Sequence, residues 1–181
     1  MGESAVFLKG ERIDLVVKNI EHIQTYHKWV NDAVVRTYIS VELPVTLEVI
    51  KKEWFPDEIE EKSVWLEIWH KEDQLPIGMI GFFQISNIHR RAEIGIFIGE
   101  PEYWGKGIGP EAINLMLDYG FNTLNYRKII ASVNAPNTRS LGMCKKAGFI
   151  EEGRQKEMDF IDGKWTDIIL IAIFKKDRKG E

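Results

Sequence analysis

Hydrophobic and polar positions alternate with a period of two in closely spaced segments of the chain. Val64, Leu66, Ile68 and His70 alternate with Trp65, Glu67 and Trp69, a glycine-containing apolar run covers 77–85, and a third run covers Ala92–Ile98. These runs predict three strands, the first two joined by a turn over 71–76, and antiparallel because short turns cannot join parallel strands. Ile13–Val17 predicts an earlier strand and Ile129–Val133 a later one. Elsewhere the period is helical. Ile20, Ile23, Tyr26, His27 and Val30 keep that spacing, Leu47–Trp54 predicts a second helix, and Ala112, Ile113, Met116, Tyr119 and Gly120 share one face of a helix over Pro110–Asn122. A fourth helix over Thr138–Ala147 ends at Gly148, a C′ glycine. Phe149–Ile161 and Trp165–Phe174 read as a hairpin through Asp162-Gly163, a type I′ turn signal. The order β-α-α-β-β-β-α-β-α-β-β predicts an α+β, or mixed α/β, fold.

Composition narrows the class. The 181 residues, 44% apolar and 29% charged, carry no repeat and no linker, so one domain over 1–181 is expected. Cys144 is the single cysteine, which excludes an intrachain disulfide, and four scattered histidines offer no metal-ligand spacing, so no metal is expected. The start lacks the pattern of a signal peptide, and the longest apolar run, Ile168–Phe174, is far short of the roughly 20 residues that span a bilayer. A cytoplasmic protein without a membrane partner is expected. The net charge of −4 disfavours nucleic acid, but its distribution says more. Seven carboxylates fall between Glu42 and Glu61, whereas Arg127–Lys146 holds five bases and no acid.

Candidate chemistry centres on Tyr103-Trp104-Gly105-Lys106-Gly107-Ile108-Gly109-Pro110, between a predicted strand and a predicted helix. Gly109 suits the N-cap and Pro110 the first turn. Alternating glycines let successive N–H groups converge at a helix N-terminus, an arrangement that suits a phosphate or pyrophosphate, the alternative being a flexible turn that caps the helix. A GxxxxGK[ST] loop is excluded because Gly107 follows Lys106. A dinucleotide GxGxxG is excluded because Pro110 stands where its last glycine belongs.

About 25 residues later the chain reads Asn134-Ala135-Pro136-Asn137-Thr138-Arg139-Ser140 and then Lys145-Lys146-Ala147-Gly148-Phe149. WGKGIG at 104–109 resembles the pyrophosphate loop of the GNAT N-acetyltransferase superfamily, and NAPNTRS followed by KKAGF resembles that superfamily's second cofactor motif. Two subgroups are similar. Gly10-Glu11-Arg12-Ile13-Asp14-Leu15, Trp29-Val30-Asn31-Asp32 and Asp162–Asp167 resemble ribosomal-protein N-terminal acetyltransferases. Asn87–Glu93 and Asp118–Asn125 resemble spermidine acetyltransferases.

The resemblance implies a central, mostly antiparallel sheet with one splayed strand pair, flanked by helices on both faces. It also implies acetyl-CoA as co-substrate, with its pantetheine on the backbone of Ile96, Phe97 and Ile98 and its pyrophosphate in the loop Trp104, Gly105, Lys106, Gly107, Ile108, Gly109. Asn137, Arg139 and Ser140 complete the cofactor set, while Lys106 and Arg139 are also readable as solvated surface. Glu93 is the expected base, or else an ion-pair partner of Arg90 or Arg91. Cys144 stands where many members keep a proton-donating tyrosine, and as an alternative is a buried structural cysteine; Tyr119 and Tyr126 are tyrosines elsewhere. The acidic stretch and Trp29, Trp65 and Trp69 are candidates for an acceptor groove, although aromatic residues at these spacings also suit a core. The implied activity is acetyl transfer to a primary amine, first a protein or peptide N-terminus. The alternatives are a polyamine acceptor or a non-catalytic acyl-CoA-binding sensor. A homodimer is a possible assembly, since Ile168–Phe174 is apolar on both faces.

Overall fold

A computed structural model describes residues 5–39, 41–56 and 63–178. Eight strands form one sheet: β1 (Val6–Lys9), β2 (Ile13–Val17), β3 (Val64–His70), β4 (Leu75–Ser86), β5 (Arg91–Ile98), β6 (Lys128–Asn134), β7 (Ile150–Ile161) and β8 (Lys164–Phe174). Their spatial order is β1-β2-β3-β4-β5-β6-β8-β7. Every pair is antiparallel except β5 with β6, whose crossover carries a helix, as a parallel connection requires. Four helices accompany the sheet: α1 (Ile23–Asn31), α2 (Leu47–Trp54), α3 (Ile108–Asp118) and α4 (Thr138–Lys146). Among the described residues no helix is long and apolar enough to cross a membrane.

Side-chain alternation sorts the core into two layers. Leu66, Ile68, Ala92 and Ile94 point to the face where Ala112, Ile113 and Met116 of α3 and Cys144 of α4 pack. Trp65, Met79 and Phe97 point to the opposite face, under Tyr26, Trp29 and Val30 of α1 and Ile50 of α2. The Asp162-Gly163 turn has φ of +50° and +79°, as a type I′ turn demands. The apolar run Ile168–Phe174 lies on β8, which is paired on both sides, with β6 and with β7. Interior position accounts for its apolar character.

Three boundaries differ from expectation. β1 went unpredicted: four residues carry no readable period, and pairing with β2 makes them a strand. α3 begins at Ile108, with Gly107 in the left-handed region at φ +81° as its N-cap, a turn position earlier than Gly109. Pro110 is still tolerated, because the third N–H of a helix has no intrahelical partner to lose. Gly109 serves packing instead, since a Cβ there would lie 2.6 Å from Met143 Sδ of α4. Past Asp118 the chain widens into a π-helical turn, Tyr119–Thr123, so the long helix of the sequence pattern is two pieces.

Trp29 is fully buried and is not a groove residue. Its indole lies on Gly99, directly after β5, where an added Cβ would come within 2.5 Å of Cδ1 and nearer still to Cγ and Cδ2. Gly99→Ala is therefore expected to destabilise the protein by about 1–3 kcal/mol through overpacking, even after the smaller gain from a stiffer unfolded chain. A lowered urea midpoint with an unchanged slope is the readout; a wild-type midpoint would show that the indole yields without cost.

Candidate functional site

β5 and β6 are in register only over Arg91–Glu93 and Lys128–Ile130. Beyond that point β5 stays with β4 and β6 stays with β8, so the two part in the middle of the sheet. The Gly99 N–H donates to the Ile77 carbonyl (2.8 Å), which fixes the alternation along β5. Phe97 is then hydrogen-bonded to Met79, its register partner, while Ile96 and Ile98 turn their N–H and C=O groups toward the gap. The Ile98 carbonyl is taken by Trp104 Nε1–H at 2.9 Å. That leaves the Ile98 N–H and both Ile96 groups facing the opening. Of the three residues expected to hold a strand-like ligand, Phe97 is the one whose backbone the sheet already uses.

The glycine loop closes one end of this opening. Space around Gly105 is clear to 4 Å, and Gly107 starts α3, so the unpaired N–H groups of the first helical turn lie beside the splay. Those donors, with the positive end of the helix dipole, are the chemistry of an anion cradle. Ile108 is buried and anchors the loop in the core. Lys106 Nζ lies over the Tyr103 ring at 5.4 Å, and the Arg139 guanidinium lies over the Trp104 ring at 4.8 Å, which brings the glycine loop and the Asn134–Ser140 segment together. Asn137 caps α4 by accepting from the Ser140 N–H (3.1 Å), so these two residues fix the loop that carries Arg139.

Glu93 and Phe97 lie on the α1 side of β5. Glu93 sits in the last paired rung, opposite Ile130, and its Oε1 accepts from Ser132 Oγ (2.7 Å), two residues further along β6 where the strands have parted. No ion pair joins Glu93 to an arginine among the described residues; Arg90 donates instead to Asn125. Two positions along β6, on the same face, Asn134 Nδ2 donates to Asp159 Oδ2 of β7 (2.6 Å). A polar line of Glu93, Ser132, Asn134 and Asp159 thus runs beside the opening, with Trp65 stacked on Phe83 nearby and passing over Gly95. Trp69 is set apart, stacked on His22 at 5.8 Å. Residues 57–61 of the acidic stretch lie outside the described residues. Within it, exposed Glu48 lies in the first turn of α2, and its carboxyl is held below the usual range by its own backbone N–H and by the Thr46 side chain.

Cys144 is buried on α4, and burial pushes its thiol up to about 11 against a smaller lowering by the Ser140 hydrogen bond. Tyr126 packs edge-on against Phe82 and Tyr119 against Phe7, so both tyrosines are structural.

Four residues escaped the sequence reading. Glu67, the one polar member of the Trp65–Trp69 run, is fully buried; it accepts from the Asn19 N–H and the Tyr26 hydroxyl and lies 2.9 Å from His22 Nδ1. Its place between two tryptophans was the available signal. Glu100 receives Lys28 Nζ and Trp29 Nε1–H (2.8 Å), which ties α1 to the segment leading into the loop. Glu111 Oε1 accepts from the N–H groups of Glu11, Arg12 and Ile13, and Arg12 Nε donates to Glu111 Oε2 at 3.0 Å. No sequence signal joins positions about 100 residues apart.

Comparison with known proteins agrees with this geometry. A family model for the acetyltransferase (GNAT) domain matches residues 12–150. The chain is 38% identical over 104 residues to a spermidine N(1)-acetyltransferase of Escherichia coli, covering 58% of this chain and 55% of that one. It is 29% identical over 104 residues to a putative ribosomal N-acetyltransferase, YdaF, of Bacillus subtilis, covering 58% and 56%. The chain spans between 55% and 61% of the length of these two and of an N-acetyltransferase from Bacillus licheniformis. Among solved structures, spermidine N-acetyltransferase from Vibrio cholerae in complex with CoA and spermine superposes with a TM-score of 0.84 at 26% identity, covering 92% of this chain and 97% of that one.

The Glu111 cluster makes a stability prediction. Burial alone would raise the Glu111 carboxyl, but the N–H groups of Arg12, Ile13 and Glu11 and the Arg12 guanidinium outweigh it and hold the carboxyl below its usual range. A depressed carboxyl stabilises the fold above its unfolded value and loses that contribution as pH falls through its folded value. Glu111→Gln is expected to cost about 1–2 kcal/mol at pH 7, with the gap to wild type closing below pH 4.5, the ordinary value. Urea melts at pH 7 and pH 3.5 measure it; an equal gap at both would refute the assignment.

Proposed function

The chain belongs to the GNAT acetyltransferase family, and on that premise we propose that it transfers an acetyl group from acetyl-CoA to a primary amine. The observation that carries this reading is the conjunction of two unpaired donor sets: the Ile96 and Ile98 backbone groups turned into the gap between β5 and β6, and the N–H groups of the glycine loop at the start of α3. Acetyl-CoA supplies the activated acyl thioester. The Ile96 and Ile98 N–H groups are the chain's donors for a developing oxyanion, a contribution of about 3 kcal/mol for one donor. The loop N–H groups, Lys106 and Arg139 are its partners for phosphate.

The acceptor amine attacks as a free base, so the N–C bond forms as the C–S bond breaks and the ammonium proton must leave. An aliphatic amine with a pKa near 10.4 is mostly protonated at neutral pH. Glu93, oriented by Ser132 at the mouth of the splay, takes that proton directly or through one water. Cys144 is a poor donor to the departing sulfur. A thiol at about 11 handing its proton to a thiolate of ordinary acidity, near 8.5, works uphill by about 3 kcal/mol. The thiolate leaves unaided and is protonated by solvent.

The carboxylates of Glu93 and Asp159 along one face suit a cationic acceptor, and the spermidine acetyltransferases among the relatives favour a polyamine. A peptide N-terminus is the second reading, favoured by the ribosomal relative. The absence of a tyrosine at position 144 leaves a non-catalytic acyl-CoA sensor as the reading to be excluded.

Incubation with acetyl-CoA, CoA release being followed by mass spectrometry, is expected to show turnover with spermidine above an Ala- or Ser-starting peptide and a lysine peptide. Tight CoA binding without turnover on any amine would establish the sensor. Glu93→Gln is expected to lower kcat about 10²-fold or more at pH 7, with part of the loss recovered at pH 9 as the free amine becomes abundant; a wild-type profile from pH 6 to 9 would remove Glu93 from the mechanism. Cys144→Ala is expected to keep kcat within about twofold, whereas a 10²-fold loss would restore the thiol as the acid.

A further inference from the structure

The N-terminal segment before β2 reaches across the molecule to the glycine loop. The Arg12 guanidinium uses all three of its nitrogens there: Nε donates to Glu111 Oε2 at 3.0 Å, one terminal nitrogen donates to the Lys106 carbonyl at 2.6 Å, and the other donates to the Gly107 carbonyl at 3.0 Å. Glu111 is itself immobilised, because its other oxygen accepts from the N–H groups of Glu11, Arg12 and Ile13. Arg12 is thus a fork fixed at its base by α3 and by the start of β2, with its two prongs on consecutive loop carbonyls.

Peptide planarity gives this contact its consequence. In a trans peptide the C=O and the following N–H point to opposite sides. Holding the Lys106 and Gly107 carbonyls against Arg12 therefore aims the N–H groups of Gly107 and Ile108 away from Arg12. The left-handed φ of Gly107 and the approach of Arg12, which would come within 2.9 Å of a Cβ at that position, together leave one conformation for these two planes. Charge adds a second reason. Glu111 carries a negative charge in the first turn of α3, where it would repel an anion, and Arg12 neutralises it. Free loops lose ordering entropy when they bind, so a loop already aimed binds more tightly.

We propose that Arg12, seated on Glu111, is a positioning residue that presets the glycine loop for a pyrophosphate, which is to say that it sets affinity for the donor and leaves the chemical step alone. The proposal rests on the acyl-CoA reading of the loop and touches no reacting atom. The Arg12 side chain is 48% exposed, so its removal leaves the core intact.

The test compares wild type with Arg12→Ala and Arg12→Lys, the latter keeping the charge but losing the fork. In ligand-free protein, amide hydrogen exchange over Gly105–Gly109 is expected to speed up at least tenfold in Arg12→Ala, and in Arg12→Lys to a lesser degree, with a smaller change in the β3–β5 amides that report global unfolding. With acetyl-CoA, KM is expected to rise tenfold or more in Arg12→Ala while kcat stays within twofold. With S-acetyl-pantetheine, which lacks the pyrophosphate, KM is expected to be the same for all three proteins. Unchanged exchange in the loop overturns the proposal, as does an equal loss on both donors or full rescue by lysine. A wild-type protein that binds no CoA would instead strike the acyl-CoA reading, and loop exchange would still decide whether Arg12 sets the loop.

Discussion

Unpaired peptide groups in the interior of a sheet are the constraint on which the rest of this structure depends. Backbone N–H and C=O groups that lose water need a partner. β5 turns such groups toward β6, yet the two strands share register only over Arg91–Glu93 and Lys128–Ile130. The Trp104 indole satisfies the Ile98 carbonyl. The Ile96 groups and the Ile98 N–H face the opening between the parted strands, and the glycine loop with the start of α3 lies beside its end. On the proposed reading, strand parting, loop and helix N-terminus act as one binding device.

Two carboxylates flank that device and tie it to distant parts of the chain. Glu111 fastens the N-terminal segment and Arg12 to the start of α3. Glu100 fastens α1, through Lys28 and Trp29, to the segment entering the loop. One edge of the loop is thus coupled to the first strands and the other to the helices that cover the α1 face, where Glu93, Ser132, Asn134 and Asp159 line up. Buried Glu67 performs a related task deeper in, holding Tyr26, His22 and Asn19 to β3 so that α1 is fixed against the sheet before it reaches Glu100.

Much of this was legible in the residues. Strand alternation gave the meander from β3 to β5, Asp162-Gly163 gave the hairpin, and the glycine loop and Asn137–Ser140 marked the starts of two helices, because each of these signals is local and falls within a few residues. The misses were of another kind. Gly109 looked like an N-cap because it precedes Pro110, but the helix begins where Gly107 can take a left-handed φ and where Arg12 grips the carbonyls. Trp29 looked available to a groove because spacing alone does not say which side of α1 meets Gly99. Cys144 was readable either as a proton donor or as a buried structural cysteine, and its burial in the α3–α4 layer accords with the second.

The sequence by itself determined the family and the order of the elements, since periodicity, turn chemistry and glycine spacing act between near neighbours. Tertiary structure alone decided that the expected parting of β5 from β6 begins after Glu93 and Ile130, that Arg12 holds a loop 94 residues away, and that Glu67 is buried rather than solvated. Those outcomes depend on which elements the sheet order and the helix packing bring together, and hydrogen bonds and desolvation respond to proximity in space, with no regard for separation along the chain.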